Sequence, residues 1–136
     1  MKIHSTNYIN TFIEVAPDTK ANHSTPPPSK SKKTVGEMHF SLITSNPYVY
    51  TSDDVIFSAY AEKQDLTSEE LEAARKQFFS KGQPCLRTSP LTKTYGYGIH
   101  CDKEGKIALY GMETDEYQQF VNDDSILKVK AMKSKK

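Results

Sequence analysis

Residues 78–111, FFSKGQPCLRTSPLTKTYGYGIHCDKEGKIALYG, are the stretch on which the fold turns. They hold both cysteines, His100 and five of the six glycines. The pattern changes here from helical periodicity to alternation. Tyr95 to Cys101 and Lys106 to Gly111 read as two strands. Asp102-Lys-Glu-Gly105 between them reads as a turn with glycine where a positive φ is wanted, so the pair is a hairpin. Gly96 and Gly98 weaken the first strand but let another backbone or a ligand come close. Gln83 to Thr94 reads as an ordered loop, because Pro84 and Pro90 interrupt regular structure.

Upstream, Thr67 to Gly82 predicts a helix. Thr67 and Glu70 have capping-box spacing, Leu71, Ala74 and Phe78 form the stripe to be buried, and Glu72 and Lys76 stand at the i,i+4 spacing of an ion pair. Gly82 is the expected left-handed stop. Residues 55–62 fit either a helix or an alternating strand. The cap signals of Thr51 or Ser52, followed by Asp53 and Asp54 in a first turn, favour the helix. Thr34 to Ser45 reads as a helix with Val35, Met38, Leu42 and Ser45 in its stripe and His39 at the boundary; Asn46-Pro47 ends it. Tyr8 to Ala16 reads as a strand whose Ile9, Thr11, Ile13 and Val15 face the core, with Phe12 partly covered on the other side. Residues 17–33, rich in Pro, Ser and Lys, read as a surface loop. Downstream, Thr114 caps a short helix through Tyr117, Phe120 and Val121, and 125–131 adds a helical turn or a strand.

These elements predict one α+β domain over residues 1–132: a small antiparallel sheet, made of the N-terminal strand and the hairpin, covered by three to four helices. Residues 133–136 form a basic tail. A chain of 136 residues can bury a core without staples. The net charge of +1 is uneven, with five lysines in 128–136 and 13 basic against 17 acidic residues elsewhere. An acidic body is not the profile of a nucleic-acid-gripping face. The N-terminus lacks the apolar core of a leader, and no apolar run is long enough to cross a membrane, so a cytoplasmic location with Cys85 and Cys101 as free thiols is expected.

Three chemistries can be read in the central stretch. Lys81, Arg87 and Lys93 bracket a loop with the hydroxyl of Ser89, and Tyr95 and Tyr97 follow. With Lys103 and Lys106 against Asp102 and Glu104, this stretch carries a local charge of +3 on an acidic body. These residues predict a pocket for a small anionic ligand, since a guanidinium fork suits carboxylate or phosphate. Each cation could equally pair with Asp53, Asp54 or backbone carbonyls. The second chemistry is a thiol reaction with Cys85 as nucleophile and His100 as base. The third is sequence-blind attraction of nucleic acid or an anionic surface to the Lys-rich C-terminus. His100 and Cys101 are adjacent and point to opposite faces of a strand, and no CxxC or HExxH occurs, so no metal site or cofactor is expected. The partner is otherwise open: a small anion or a protein.

The strings TSDDVIF (51–57), FFSKGQPCLRTSPLTKTYGYGIH (78–100) and EGKIALYG (104–111) resemble, as a set, an uncharacterised bacterial family defined only as a domain of unknown function. The resemblance runs from Asn7 to Met132, with Tyr97 standing where the family pattern has tryptophan. It implies a bacterial, cytoplasmic protein and names no reaction, cofactor or catalytic residue.

Overall fold

The computed structural model describes residues 4–29 and 31–133. The expected basic tail lies, beyond Lys133, outside them. The described residues form a four-stranded sheet with helices on both faces, in the order β1 (Thr11–Glu14), α1 (Val35–Ser45), α2 (Ser52–Lys63), α3 (Leu71–Phe78), a 3-10 turn (Leu86–Thr88), α4 (Pro90–Lys93), β2 (Tyr97–Cys101), β3 (Ile107–Gly111), α5 (Asp115–Val121) and β4 (Leu127–Lys130). This is the α+β class expected. The hairpin is β2–β3, closed by Gly105 at φ +81°, and β1 pairs antiparallel with β2. β4 joins the free side of β1 in parallel, giving the order β3-β2-β1-β4 and a mixed sheet. Arg87 secures that edge: its Nε donates to the Lys130 carbonyl (2.7 Å) and its own carbonyl accepts from the Met132 N–H (2.8 Å).

Both faces of the sheet are covered, which the alternation in β1 only half predicted. Thr11 and Ile13 face a core with Ile99, Cys101, Ile107, Ile43, Val55, Leu86 and Leu91. Phe12, on the opposite face, is fully buried against Tyr117 and Phe120 of α5. Asn10 adopts φ +50°, a left-handed conformation that Asn tolerates. The strand therefore starts at Thr11, and Ile9, expected in the core, is 56% exposed. Gly96, just before β2, and Gly98, within it, permit close approach, the first by the backbone that was anticipated and the second by side-chain rings. A Cβ on Gly96 would meet the His23 carbonyl at 2.7 Å, and one on Gly98 would meet the Phe12 ring at 2.5 Å.

The caps explain the helices. Thr51 and Asp54 form a complete capping box on α2, so 52–63 is helical as preferred. Thr34 and Thr114 accept from the N–H groups of Glu37 and Tyr117. Four details differ from the sequence reading. In α1 the buried side is Gly36, Glu37, His39 and Ile43, rotated from the expected stripe, because Gly36 must lie against Pro90 and Tyr95. α3 is shorter than predicted and buries none of its residues. Its last carbonyls are met by the Ser80 hydroxyl on Gln77 (2.6 Å) and the Gln83 amide on Phe78 (2.7 Å), not by a left-handed Gly82. Pro90 opens α4 instead of interrupting structure, since proline suits the first helical position.

Candidate functional site

The expected ligand-binding residues have different surroundings. Lys81 is exposed. Arg87 holds the β4 edge and lies beside the Tyr8 hydroxyl. Tyr97 packs on Phe40 with ring centroids 5.5 Å apart, near Ser24 and Glu113. Tyr95 accepts the Thr25 N–H through its carbonyl (2.9 Å). Lys93 is half-buried in the last turn of α4. Ser89 alone of the six lines a cleft of about 290 Å³ between α1, α2 and residues 83–89.

The same structure separates Cys85 from His100. Successive residues of β2 alternate sides: Ile99 and Cys101 enter the core under α1 and α2, while Gly98 meets Tyr117 of α5. His100 shares the Gly98 face, stacked on Phe120 at 4.2 Å. Its Nδ1 bonds the Tyr48 hydroxyl (2.9 Å), which also bonds Tyr110 (2.7 Å). Burial lowers the His100 pKa, the nearby Asp102 and Asp123 acting against it. Cys85 lies on the other side, its Sγ 3.6 Å from the Tyr8 hydroxyl. Burial also pushes the Cys101 thiol up to about 12, so it stays protonated. The imidazole that shares a cleft with Cys85 is that of His39. It is buried, bonded through Nδ1 to the Ser89 Oγ (3.2 Å), and burial holds its pKa at about 4. Sequence spacing gave no sign of this pairing, because His39 and Ser89 are 50 positions apart.

The adjacent carboxylates Asp53 and Asp54 are both committed to structure. Asp53 Oδ1 accepts from the N–H and hydroxyl of Thr6 (2.6 and 2.7 Å) and its Oδ2 from the Ser5 hydroxyl (2.8 Å), pinning the N-terminal segment to α2. Asp54 completes the α2 cap and pairs with Arg75 at 2.9 Å. Burial pushes the Asp54 carboxyl up, but the Thr51 N–H and Arg75 outweigh it and hold it below the usual carboxylate range. Among the described residues, no three His, Cys, Asp or Glu side chains cluster as a metal site would require.

What the fold assembles instead is a cleft with two chemically different halves. Val35, Ile56, Ala59, Phe78 and Leu86 give the inner half apolar walls, with His39, Tyr60, Thr88 and Ser89 as polar points. Lys63 and Gln64, at the end of α2, line this half and also a neighbouring cavity of about 510 Å³. That outer cavity is edged by Lys32, Lys33 and Lys63 against one acid, Glu62. The sequence placed Lys32 and Lys33 in a loop; their approach to Lys63 depends on how α1 packs on α2.

A family model matches residues 3–136. The chain belongs to a family of unknown function, DUF6157. No curated protein and no solved structure was found to match it. The family ascribes no reaction to the cleft, and no helix among the described residues is long and apolar enough to cross a membrane.

Proposed function

We propose that this member of the family is a small binding module for an amphipathic anion. The observation that carries the reading is the sharing of Lys63 and Gln64 between an apolar-walled cleft and a cavity edged by three lysines. An apolar ligand body would occupy the space beside Ile56, Phe78 and Leu86, and its carboxylate or phosphate would sit among Lys32, Lys33 and Lys63. Sites of this kind combine apolar walls with a few polar groups that set orientation. The neutral His39 and the Ser89 hydroxyl are such groups. This reading keeps an anionic ligand but draws its cations from the segment just before α1 and from the end of α2, not from residues 81–100.

Thermal unfolding with phenyl phosphate, inorganic phosphate and no ligand tests this. Phenyl phosphate at 100 times its dissociation constant should stabilise the protein by about 2.7 kcal/mol. Inorganic phosphate, lacking the apolar body, should do much less at the same concentration. Lys63→Glu should remove the effect, and Arg87→Ala should keep it on a less stable background. A shift that survives Lys63→Glu and disappears in Arg87→Ala would move the anion to the 81–100 stretch. No shift with either probe would end the proposal.

A further inference from the structure

A separate groove of about 490 Å³ lies between α2 and α3, walled by Leu42, Tyr50, Phe57, Ala61 and Leu71. We propose that it is a binding site for a small, uncharged, apolar molecule, independent of the anion cleft. Three observations converge on that occupant. The volume lies within the range of roughly 300–1,000 Å³ typical of small-molecule sites. Next, Arg75 and Asp54, which both line it, already satisfy one another. Arg75 pairs with Asp54 at 2.9 Å, Asp54 also accepts the Thr51 N–H (3.0 Å), and the guanidinium lies over the rings of Phe57 and Phe79 at 5.7 and 5.6 Å. An anionic ligand would compete with Asp54 for Arg75 and meet Glu72 at the mouth; a cationic one would meet Arg75. A neutral molecule meets neither penalty. Last, α3 is the one longer helix with no buried residue, and Leu71 on its inner side is 38% exposed although it borders an apolar groove. A ligand there would cover Leu71 and add to the contacts α3 already makes with α2 through Arg75 and Phe78. A second copy of the chain suits this face poorly. Asp54, Glu72 and Arg75 line the groove, and interface cores are depleted of charge.

The probe is N-phenyl-1-naphthylamine, an uncharged apolar fluorophore. Its emission should rise and shift to the blue on titration into the wild-type chain, saturating at one molecule per chain. Ala61→Trp, which fills the groove from the α2 side, should weaken binding about tenfold or more. Leu71→Glu, at an exposed wall position that leaves the core alone, should do the same, with far-UV circular dichroism and the thermal midpoint confirming the fold of both. Lys63→Glu should leave the titration unchanged, which separates this site from the anion cleft. Absence of enhancement would overturn the proposal, as would enhancement that survives both groove variants. So would enhancement that fades as protein concentration rises and the chain sediments as a dimer, since a second copy would then be the occupant.

Discussion

The two sides of the sheet use aromatic residues to opposite ends. On the α5 side, Phe12, Tyr117, Phe120, His100 and Tyr110 form a closed stack with neighbouring centroids 4.2–5.0 Å apart. Its polar tips have partners: the Tyr117 oxygen accepts the Val15 N–H (3.0 Å), and Tyr48 joins His100 to Tyr110. In the outer helical layer, Phe57, Tyr60, Phe78 and Phe79 also cluster, at 4.5–6.5 Å, yet a groove remains between α2 and α3. The difference lies in what each helix packs against. Strand pairing sets Phe12 directly beside His100, a regular platform on which a short helix can close. α3 packs on α2 through Arg75 and Phe78, and a groove lined by Leu71 and Arg75 stays open beside them. Aromatic and histidine content therefore marks structure on one side and accessible space on the other.

Truncation should expose that contrast most strongly. Phe12→Ala removes a fully buried ring from the stack and should cost about 3–5 kcal/mol in urea unfolding. A loss near 1 kcal/mol would mean that α5 is not held by this stack. The next effect concerns the cleft. His39 titrates near 4 in the folded chain against 6.5 for the free side chain, because burial disfavours the cation. The native state thus holds this imidazole neutral while the unfolded state takes up a proton. The resulting stability is present in full above pH 6.5 and is lost as pH falls from there through 4, by about 3 kcal/mol in all. Urea midpoints at stepped pH should show this slope, and His39→Gln should flatten it. An unchanged slope in His39→Gln would assign the acid sensitivity elsewhere. The smallest effect is expected at α3, where Leu71→Ala should change stability by no more than about 0.5 kcal/mol. A cost like that at Phe12 would erase the distinction between the closed face and the open one.

The elements with strong local signals were readable from the chain. Thr51 with Asp54, Thr114 before an apolar helix, and Gly105 in the hairpin act through neighbours a few residues away. The pairing of β1 with the hairpin followed from there being a strand and a free edge to join. α3 shows where this reasoning ends. Its amphipathic pattern predicted a buried stripe, but periodicity states which side is apolar and not whether anything arrives to cover it. Closeness in sequence is as little guide to the site: Lys81 is exposed, Arg87 bonds the Lys130 carbonyl and Lys93 is half-buried at the end of α4.

The sequence by itself determined the α+β class, the hairpin and the capped helices α2 and α5, and it allowed the close approaches at Gly96 and Gly98. These rest on backbone preference and short-range hydrogen bonding, which residues carry with them. Only the tertiary structure decided that β4 lies parallel to β1, that His39 rather than His100 shares a cleft with Cys85, and that the cations beside that cleft are Lys32, Lys33 and Lys63. Each of these depends on groups far apart in the chain. Their meeting is set by how whole helices and strands exclude water together, and local pattern holds no record of it.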